Sequence, residues 1–258
     1  MRQRAWTPRN QPLGHGPYPR TDAFGRALLD WTRGGSDPEI IERDDGFIEA
    51  GAGPDVYMAP FEEWPSVERR AMRYVQGRVI DVGCGAGRVA LHLQDRGFDV
   101  VALDASPLAV RAARVLGVAK VWCASVEELG QRIRAFDTVL LFGNNFGMFG
   151  TPDRLRSALS KWAISMPMHA RVLAESMDPY VGSSMVDRAY RRRNRGKGRM
   201  AGQVRIRVRY REWIGPWLDW LFVSRSELSR LVLGTGWSVR RTLGARTSDL
   251  FVAVLERG

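Results

Sequence analysis

Residues 79–89, VIDVGCGAGRV, decide the fold of this chain. An apolar run ends at Asp81, and Gly83, Gly85 and Gly87 follow at every second position. Glycines at a turn from strand to helix leave backbone N–H groups accessible to a ligand. Their spacing differs from the G-x-G-x-x-G pattern that seats a pyrophosphate in dinucleotide sites. The carboxylate of Asp81 would repel a pyrophosphate and favours a ligand with a positively charged end.

After residue 77, apolar strand patterns alternate with amphipathic helix patterns. Strands that alternate with helices of this length predict an α/β fold, in which a parallel sheet carries helices on both faces. Right-handed crossovers then place the loops that follow the strands at one edge, where such sheets bind ligands. Seven strand patterns are present, at residues 78–83, 100–106, 121–126, 136–145, 170–176, 237–243 and 249–256.

A second carboxylate narrows the choice of ligand. Asp104 ends the second strand pattern, 21 residues beyond Gly83, where an acid can accept hydrogen bonds from both hydroxyls of a ribose. S-adenosyl-L-methionine (SAM) combines such a ribose with a sulfonium and an ammonium, and it has no phosphate. The alternative is that both acids are solubilising charges at strand ends, which requires two coincidences on adjacent strands.

With these motifs the chain resembles the class I SAM-dependent methyltransferases, whose fold is a seven-stranded Rossmann-like sheet. The resemblance covers roughly residues 67–255 and implies that the last strand inserts antiparallel. It also implies that VIDVGCGAG packs against the methionyl part of SAM, that LDAS supplies the ribose-binding acid, and that Ser125 and the Val126 N–H replace the acid with which many relatives hold the adenine. The residues expected to bind the cofactor are Tyr57, Asp81, Gly83, Cys84, Gly85, Gly87, Asp104, Ala105, Ser125, Val126 and Gly143.

Polar residues after two later strands are the predicted catalytic residues. Asn144 and Asn145 lie in FGNNFGMFG after the fourth strand, where amides can orient a substrate nucleophile towards the methyl group. Glu175 ends the fifth strand and is the best-placed candidate base. The alternatives are a glycine-rich turn with asparagines in left-handed conformations, and a glutamate that accepts a capping hydrogen bond or binds a substrate amine.

Most of the excess positive charge lies in one segment. The net charge is +11, and residues 188–211, RAYRRRNRGKGRMAGQVRIRVRYR, hold 11 basic residues and no acid. The alternation in VRIRVRYR predicts a strand with one arginine face, and arginine forks bind carboxylate or phosphate. A solvated strand face and an aromatic lid core are the alternatives, although no acidic strand that would neutralise the arginines is apparent nearby. The predicted substrate-binding residues are Arg205, Arg207, Arg209, Tyr210 and Trp213.

The chain divides into four predicted segments: an N-terminal arm and helical cap (1–64), a SAM-binding core (65–176), an inserted lid (177–223) and a C-terminal completion of the core (224–258). Thr21 is expected to cap the first helix of the cap segment. The opening 20 residues lack a continuous apolar core, so no secretory signal is expected. Two scattered cysteines predict neither a disulfide scaffold nor a metal site, and they favour a reducing cytoplasm.

Three functions agree with these motifs. The favoured hypothesis is methyl transfer from SAM to an oxygen or nitrogen of a small molecule that carries an anionic group held by the arginine strand. The second is a methyltransferase or binding protein for RNA or DNA, in which RRRNRGKGR contacts phosphates. The third is a SAM-binding protein that transfers no methyl group. No apolar run is long enough to cross a bilayer, so no membrane partner is expected.

Overall fold

The computed structural model describes residues 20–182 and 184–258, which form two β-sheets with flanking helices. The predicted N-terminal arm, residues 1–19, lies outside the described residues. The elements follow one another as α1 (Ala23–Trp31), β1 (Ile40–Arg43), β2 (Ile48–Ala50), α2 (Pro54–Tyr57), α3 (Ser66–Ala71), β3 (Val79–Val82), α4 (Arg88–Asp95), β4 (Val100–Asp104), α5 (Pro107–Val115), β5 (Val121–Cys123), β6 (Thr138–Leu141), α6 (Pro152–Ser165), β7 (Arg171–Met177), α7 (Met185–Gly196), β8 (Gln203–Tyr210), β9 (Trp213–Ile214), β10 (Leu218–Leu221), α8 (Arg225–Val232), β11 (Trp237–Leu243) and β12 (Leu250–Arg257).

The larger sheet has seven strands in the order β11-β12-β7-β6-β3-β4-β5. Its strands β3 to β7 are parallel to one another, and β12 is antiparallel to both β7 and β11. The predicted α/β fold with a seven-stranded, mostly parallel sheet is therefore confirmed. The strand order reverses at β3, which lies between β6 and β4, so the loops that follow β3 and β6 border the crevice in which such sheets bind ligands.

Apolar side chains cover both faces of the larger sheet, as the continuous apolar runs of its strands predict. Helices α6 and α8 pack on one face, and α3, α4 and α5 pack on the other. Leu159 of α6 and Ala71 of α3 are fully buried in these layers, and complete burial of a leucine side chain contributes about 1.5–3 kcal/mol. Among the helices in the described ranges, none is both long and apolar enough to cross a bilayer.

The smaller sheet joins two distant parts of the sequence. Its central strand β8 pairs antiparallel with β1 and with β10, while β2 extends β1 and β9 pairs with the end of β8. The predicted helical cap is thus only partly helical, because residues 40–50 form a β-hairpin that belongs to this smaller sheet, called the lid sheet below. Helix α1 begins after Asp22 and not after Thr21, because the Asp22 carboxylate accepts a hydrogen bond from Gly25 N–H at 3.1 Å.

Candidate active site

The glycine loop, residues 83–87, connects β3 to α4 and forms the centre of the site. Its three glycines have φ values between 56° and 92°, in the left-handed region. A Cβ atom on Gly87 would lie 2.4 Å from the Val118 side chain, and one on Gly83 would lie 2.4 Å from Asn145 Nδ2. Both positions therefore require glycine for backbone conformation and for space.

Asp81 lies in β3, two residues before the loop, and its side chain is buried. Its Oδ2 atom has no hydrogen-bond partner within the described ranges. Burial raises the pKa of Asp81 to about 7, because Arg88 offsets only part of the desolvation and the charge of Asp104 adds repulsion. A buried carboxylate with an unused acceptor atom is stabilised by a ligand that brings a positive charge.

Asp104, at the end of β4, fixes the glycine loop from the neighbouring strand. Its Oδ2 atom accepts a hydrogen bond from Gly85 N–H at 2.9 Å, and its Oδ1 atom accepts one from Ser106 N–H at 2.8 Å. Burial nevertheless raises the pKa of Asp104 to about 6, because these hydrogen bonds only partly oppose the desolvation. Each oxygen retains a second lone pair for a hydroxyl donor, so ribose binding by Asp104, beside Ala105, stays our prediction.

Helix α1 covers the glycine loop, a contact that the sequence pattern did not indicate. The atoms nearest to a Cβ built on Gly85 are Leu28 Cδ1 at 3.5 Å and Phe24 Cε1 at 4.0 Å. Asp22 anchors the helix, because its Oδ2 atom accepts a hydrogen bond from Leu108 N–H at 3.0 Å while its Oδ1 atom caps α1. One carboxylate thus docks the N-terminal segment on the first turn of α5.

Tyr57 lies beside helix α1. Its ring packs edge to face against Phe24, with centroids 5.5 Å apart, and its hydroxyl donates a hydrogen bond to Glu39 Oε1. Glu39 is fully buried, and its Oε2 atom has no partner in the part of the chain that the structure describes. Burial and the Glu39 charge raise the pKa of Tyr57 far above its usual value, so the phenol stays protonated. Contact of Tyr57 with the cofactor remains a prediction.

The loop after β6 is joined to the glycine loop by Asn145. Its Nδ2 atom donates hydrogen bonds to Val82 O at 3.0 Å and to Gly83 O at 2.8 Å. Both N–H groups of the amide are used in this way, so the Asn145 nitrogen positions the two loops, and contact of Asn145 with a nucleophile stays a prediction. Asn144 has a φ of 63°, in agreement with the alternative prediction of a left-handed asparagine, and its Oδ1 atom is buried without a partner among the described residues.

Glu175 of β7 lies beneath this loop and is almost completely buried. Its Oε1 atom accepts a hydrogen bond from Asn144 N–H at 2.9 Å. Burial raises the pKa of Glu175 well above its usual range, and the adjacent carboxyl of Glu68 raises it further. Glu68 itself accepts a hydrogen bond from Arg88 Nη2 at 2.8 Å. Glu175 thus fits the predicted alternative, in which its carboxylate accepts a hydrogen bond from a backbone N–H, better than the role of a general base.

Comparisons with known proteins agree with this geometry. Residues 79–164 match the family model of a methyltransferase domain. The fold is similar to that of a SAM-dependent methyltransferase from Bacteroides fragilis in complex with S-adenosyl-L-homocysteine, with 21% identity, a TM-score of 0.75 and coverage of 94% of this chain and 98% of that chain. The family match over residues 79–164 and the similar fold support a class I SAM-dependent methyltransferase.

Two further structures have similar folds. One is a SAM-dependent methyltransferase from Methanosarcina mazei, with 16% identity, a TM-score of 0.57 and coverage of 75% of this chain and 97% of that chain. The other is mitomycin 7-O-methyltransferase, with 15% identity, a TM-score of 0.50 and coverage of 79% of this chain and 53% of that chain. A search of curated proteins gives no match.

The residues around the glycine loop fit SAM, the cofactor that the family match and the similar fold support. Asp81 offers an unused buried acceptor for a cationic ammonium, and Asp104 offers free lone pairs for hydroxyl donors. The left-handed glycines leave backbone without side chains between the two acids. Asp81 and Asp104 therefore remain the residues that we expect to hold the methionyl and ribose parts of SAM.

The remaining predicted cofactor residues have varied surroundings. Ser125 is engaged in a local turn, because its N–H donates to Glu128 Oε2 at 2.7 Å and its hydroxyl accepts from Glu128 N–H at 3.3 Å. Val126, the next residue, is half-buried. Cys84 lies in the glycine loop, and its own burial raises the pKa of its thiol, which therefore stays neutral. Gly143 has a φ of 66° and nothing within 4 Å of a built Cβ, so it adjoins open space.

The arginine face of β8 is turned away from the cofactor edge of the methyltransferase. Residues directly opposite each other in paired strands lie on the same face, and Trp220 of β10 is opposite Val204 of β8. Trp220 Nε1 donates a hydrogen bond to Asn144 O at 3.2 Å, so the Val204 face is the inner one. Strand alternation then puts Arg205, Arg207 and Arg209 on the outer face.

An acid from a distant strand pairs with two of these arginines. Glu42 of β1 is opposite Arg207 and bridges two guanidinium groups, with N–O distances of 2.8 Å to Arg207 and 3.1 Å to Arg209. The position of these side chains on the outer face therefore does not favour substrate binding by Arg205, Arg207 and Arg209, which stays an untested prediction. No acid was apparent beside β8 because Glu42 reaches it only through the pairing of strands far apart in sequence.

The two predicted aromatic substrate contacts lie in the lid core. Tyr210 and Trp213 are buried in a cluster with Ala27 and Leu28 of α1 and Leu108 of α5. Burial also raises the pKa of Tyr210. Their burial favours the alternative of an aromatic core of the inserted segment, and contact of either residue with a substrate stays a prediction.

Sequence reasoning missed five residues that shape the site. The signals for two of them are local, because Asp22 precedes an amphipathic helix at the position of a cap and Arg88 directly follows the last glycine. Phe24 belongs to the apolar pattern of α1, which does not indicate that its ring reaches the glycine loop. Glu39 and Glu68 gave no signal, because their burial depends on elements that meet only in the folded protein.

Proposed function

We propose that this methyltransferase transfers the methyl group of SAM to an oxygen or nitrogen atom of a small molecule. The observation that supports this most directly is the lid over the cofactor edge, where Trp220 Nε1 donates to Asn144 O at 3.2 Å and Leu28 lies 3.5 Å from a Cβ built on Gly85. A covered edge admits a small acceptor more readily than a base that must first leave a duplex. Mitomycin 7-O-methyltransferase, one of the similar folds, is named for an oxygen of a small molecule.

SAM supplies a methyl group that a sulfonium already activates, so the acceptor needs little help from a base. The residues of the chain orient the acceptor and exclude water. Asn144 Oδ1, buried and without a partner within the described ranges, is available to accept a hydrogen bond from a hydroxyl or an amine. We assign no anionic group to the acceptor, because Arg207 and Arg209 lie on the outer face of the lid and are paired with Glu42.

The test uses SAM labelled with tritium in its methyl group. The protein is incubated with the small-metabolite fraction of a cell extract in one arm and with total RNA in the other, and the release of S-adenosylhomocysteine is measured. We expect the label in the metabolite arm only. Label in RNA alone would identify a nucleic-acid methyltransferase, and SAM binding without any transfer would identify a non-methylating SAM-binding protein.

A matched pair of variants tests the lid. Trp220→Phe removes the hydrogen bond to Asn144 O and leaves a carbonyl without its partner, a change that costs about 1–3 kcal/mol. We expect it to slow transfer about 5-fold or more without changing SAM affinity. Trp217→Phe is the control, because Trp217 stacks on Arg207 at 4.6 Å on the outer face and should leave both quantities unchanged. Equal effects of the two variants would argue against the lid.

A further inference from the structure

The basic segment, residues 188–211, divides into a part in which three of four arginines form ion pairs and a part that is exposed at α7. In and after β8, Arg207 and Arg209 pair with Glu42, and Arg211 pairs with Asp37 at 2.6 Å. The other part is α7 with the turn that follows it. There the basic side chains Arg192, Arg193, Arg195, Lys197 and Arg199 are exposed, and none of them forms an ion pair with any residue of 20–182 or 184–258.

No acid of α7 reduces this charge. Asp187 is the acid of the helix, and it accepts hydrogen bonds from Ser184 at the N-cap and from Arg43 Nη1 at 2.9 Å. Arg192 and Arg195 lie three residues apart on one helix face, and Arg193 is exposed on the side of Tyr190, with its guanidinium 5.9 Å from the centre of that ring. An exposed helix normally carries charges of both signs, so a face of one sign indicates a polyanionic partner.

The opposite face of α7 is fixed by polar contacts, so the basic face has a defined orientation. Tyr190 OH donates to Asp44 Oδ1 at 2.6 Å, and the Arg43 guanidinium lies 4.4 Å from the centre of the Tyr190 ring. Asn194 Nδ2 donates to Gln203 O at 2.5 Å and ties the end of α7 to the start of β8. A polyanion would therefore order only arginine and lysine side chains, which keeps the entropic cost of binding low.

The helix also lies near the cofactor edge. It follows β7, the strand that carries Glu175, after a short connection. Its Tyr190 packs on Arg43, which is opposite Ile206 and so shares the inner face of the lid sheet with Val204 and Trp220. A partner bound to α7 is thus held beside the edge at which the methyl group is transferred.

We propose that residues 192–199 bind the phosphate backbone of a nucleic acid. Arginine forks match the geometry of phosphate oxygens, and a repeating phosphate chain offers several anions to one row of cations. The contact reads charge and not base sequence, because the row consists of arginine and lysine alone. This binding function goes beyond the proposed methyl transfer and does not depend on it.

The experiment measures the binding of a fluorescein-labelled oligouridine, and of the matching DNA strand, to the full chain by fluorescence anisotropy at several salt concentrations. The test variant is Arg192→Gln/Arg193→Gln/Arg195→Gln. The control variant, Arg69→Gln/Arg70→Gln/Arg73→Gln, removes the same charge from exposed residues of α3 and the turn after it. SAM affinity, measured by calorimetry, reports whether each variant is folded.

We expect both nucleic acids to bind, with an affinity that falls as salt rises. The slope of log K against log salt is about −0.7 for each contacted phosphate of a single strand, so the test variant should reduce it by about 2. The ratio of the wild-type binding constant to that of the test variant should then fall about 20-fold between about 50 and 200 mM salt. The control variant should keep most of the wild-type slope.

Three results would overturn the proposal. The first is no binding of either oligonucleotide by the wild type at the lowest salt. The second is an equal loss in the control variant, which would attribute binding to net charge alone. The third is equally tight binding of polyglutamate or of phosphatidylserine vesicles, which would identify an acidic protein or a membrane surface as the partner.

Discussion

Replacement of Asp81 by asparagine is expected to stabilise the ligand-free protein while it removes most of the affinity for SAM. The Asp81 carboxylate is buried, and its Oδ2 atom has no partner among the described residues. Asparagine has the same shape and no charge to desolvate, so the folded chain no longer bears the cost of a buried anion. A bound cation would lose its counter-charge in the same variant.

The pKa of Asp81 sets the size and the sign of the stability effect. Burial raises this pKa from 3.8 to about 7. Because the folded protein binds the proton more tightly than the unfolded chain, ionisation of Asp81 lowers stability progressively from pH 3.8 to pH 7, and the loss is complete above pH 7. One pH unit corresponds to about 1.36 kcal/mol. The stability gain of Asp81→Asn over the wild type should therefore grow by about 2 kcal/mol between pH 5 and pH 7.

Urea unfolding of both proteins between pH 5 and pH 8 measures the stability difference, and calorimetry at pH 8 measures SAM affinity. Loss of one partner of a buried charge pair costs at least about 2 kcal/mol, so SAM affinity should fall about 30-fold or more. Asp95→Asn is the control, because Asp95 is exposed and the change in charge is identical. A stability gain that is the same at pH 5 and pH 8, or an unchanged SAM affinity, would refute the reasoning.

Four further predictions concern the loop and the lid. Gly87→Ala should lower the free energy of unfolding by about 2–4 kcal/mol, because the backbone is left-handed and a Cβ atom has no room; denaturant titration measures this. Asn145→Asp loses both N–H donors that join the two loops, and calorimetry should show SAM affinity reduced about 10-fold or more. Asp22→Ala removes a helix cap and a docking contact, so the free energy of unfolding should fall by about 1–2 kcal/mol, measured as a lower thermal midpoint. Arg207→Gln/Arg209→Gln should leave SAM affinity and transfer unchanged in the tritium assay.

Each of these four predictions would be contradicted by a specific result. Gly97 is also left-handed but has nothing within 4 Å of a built Cβ, so equal destabilisation by Gly97→Ala and Gly87→Ala would remove the argument from space. Full SAM affinity in Asn145→Asp would mean that the loop keeps its shape without the amide. A wild-type thermal midpoint in Asp22→Ala would show that α1 docks by apolar contacts alone. Slower transfer in Arg207→Gln/Arg209→Gln would return the arginine face to the active site.

The larger sheet was predictable because its information is local. Buried parallel strands are short apolar runs bounded by turn residues, and one strand-helix unit separates Asp81 from Asp104. The burial of Glu175 was not predictable from local sequence, because it depends on the loop after β6, where Asn144 N–H donates a hydrogen bond to the Glu175 carboxylate. Strand pairing in the lid was not local either. Glu42 and Arg207 are opposite each other in the lid sheet, and nothing in either short stretch specifies the other as its partner.

The two central strands of the lid sheet lie far apart in the sequence, so the ribosome makes them at different times. Strand β1 begins at Ile40, and its partner β8 begins at Gln203, about 160 residues later. At about 5–20 residues per second, a ribosome needs about 10–30 s to make that interval. The five parallel strands β3 to β7 are all translated within it. Translation therefore delivers the five parallel strands before β8, and β1 can pair with β8 only after residues 203–210 have emerged.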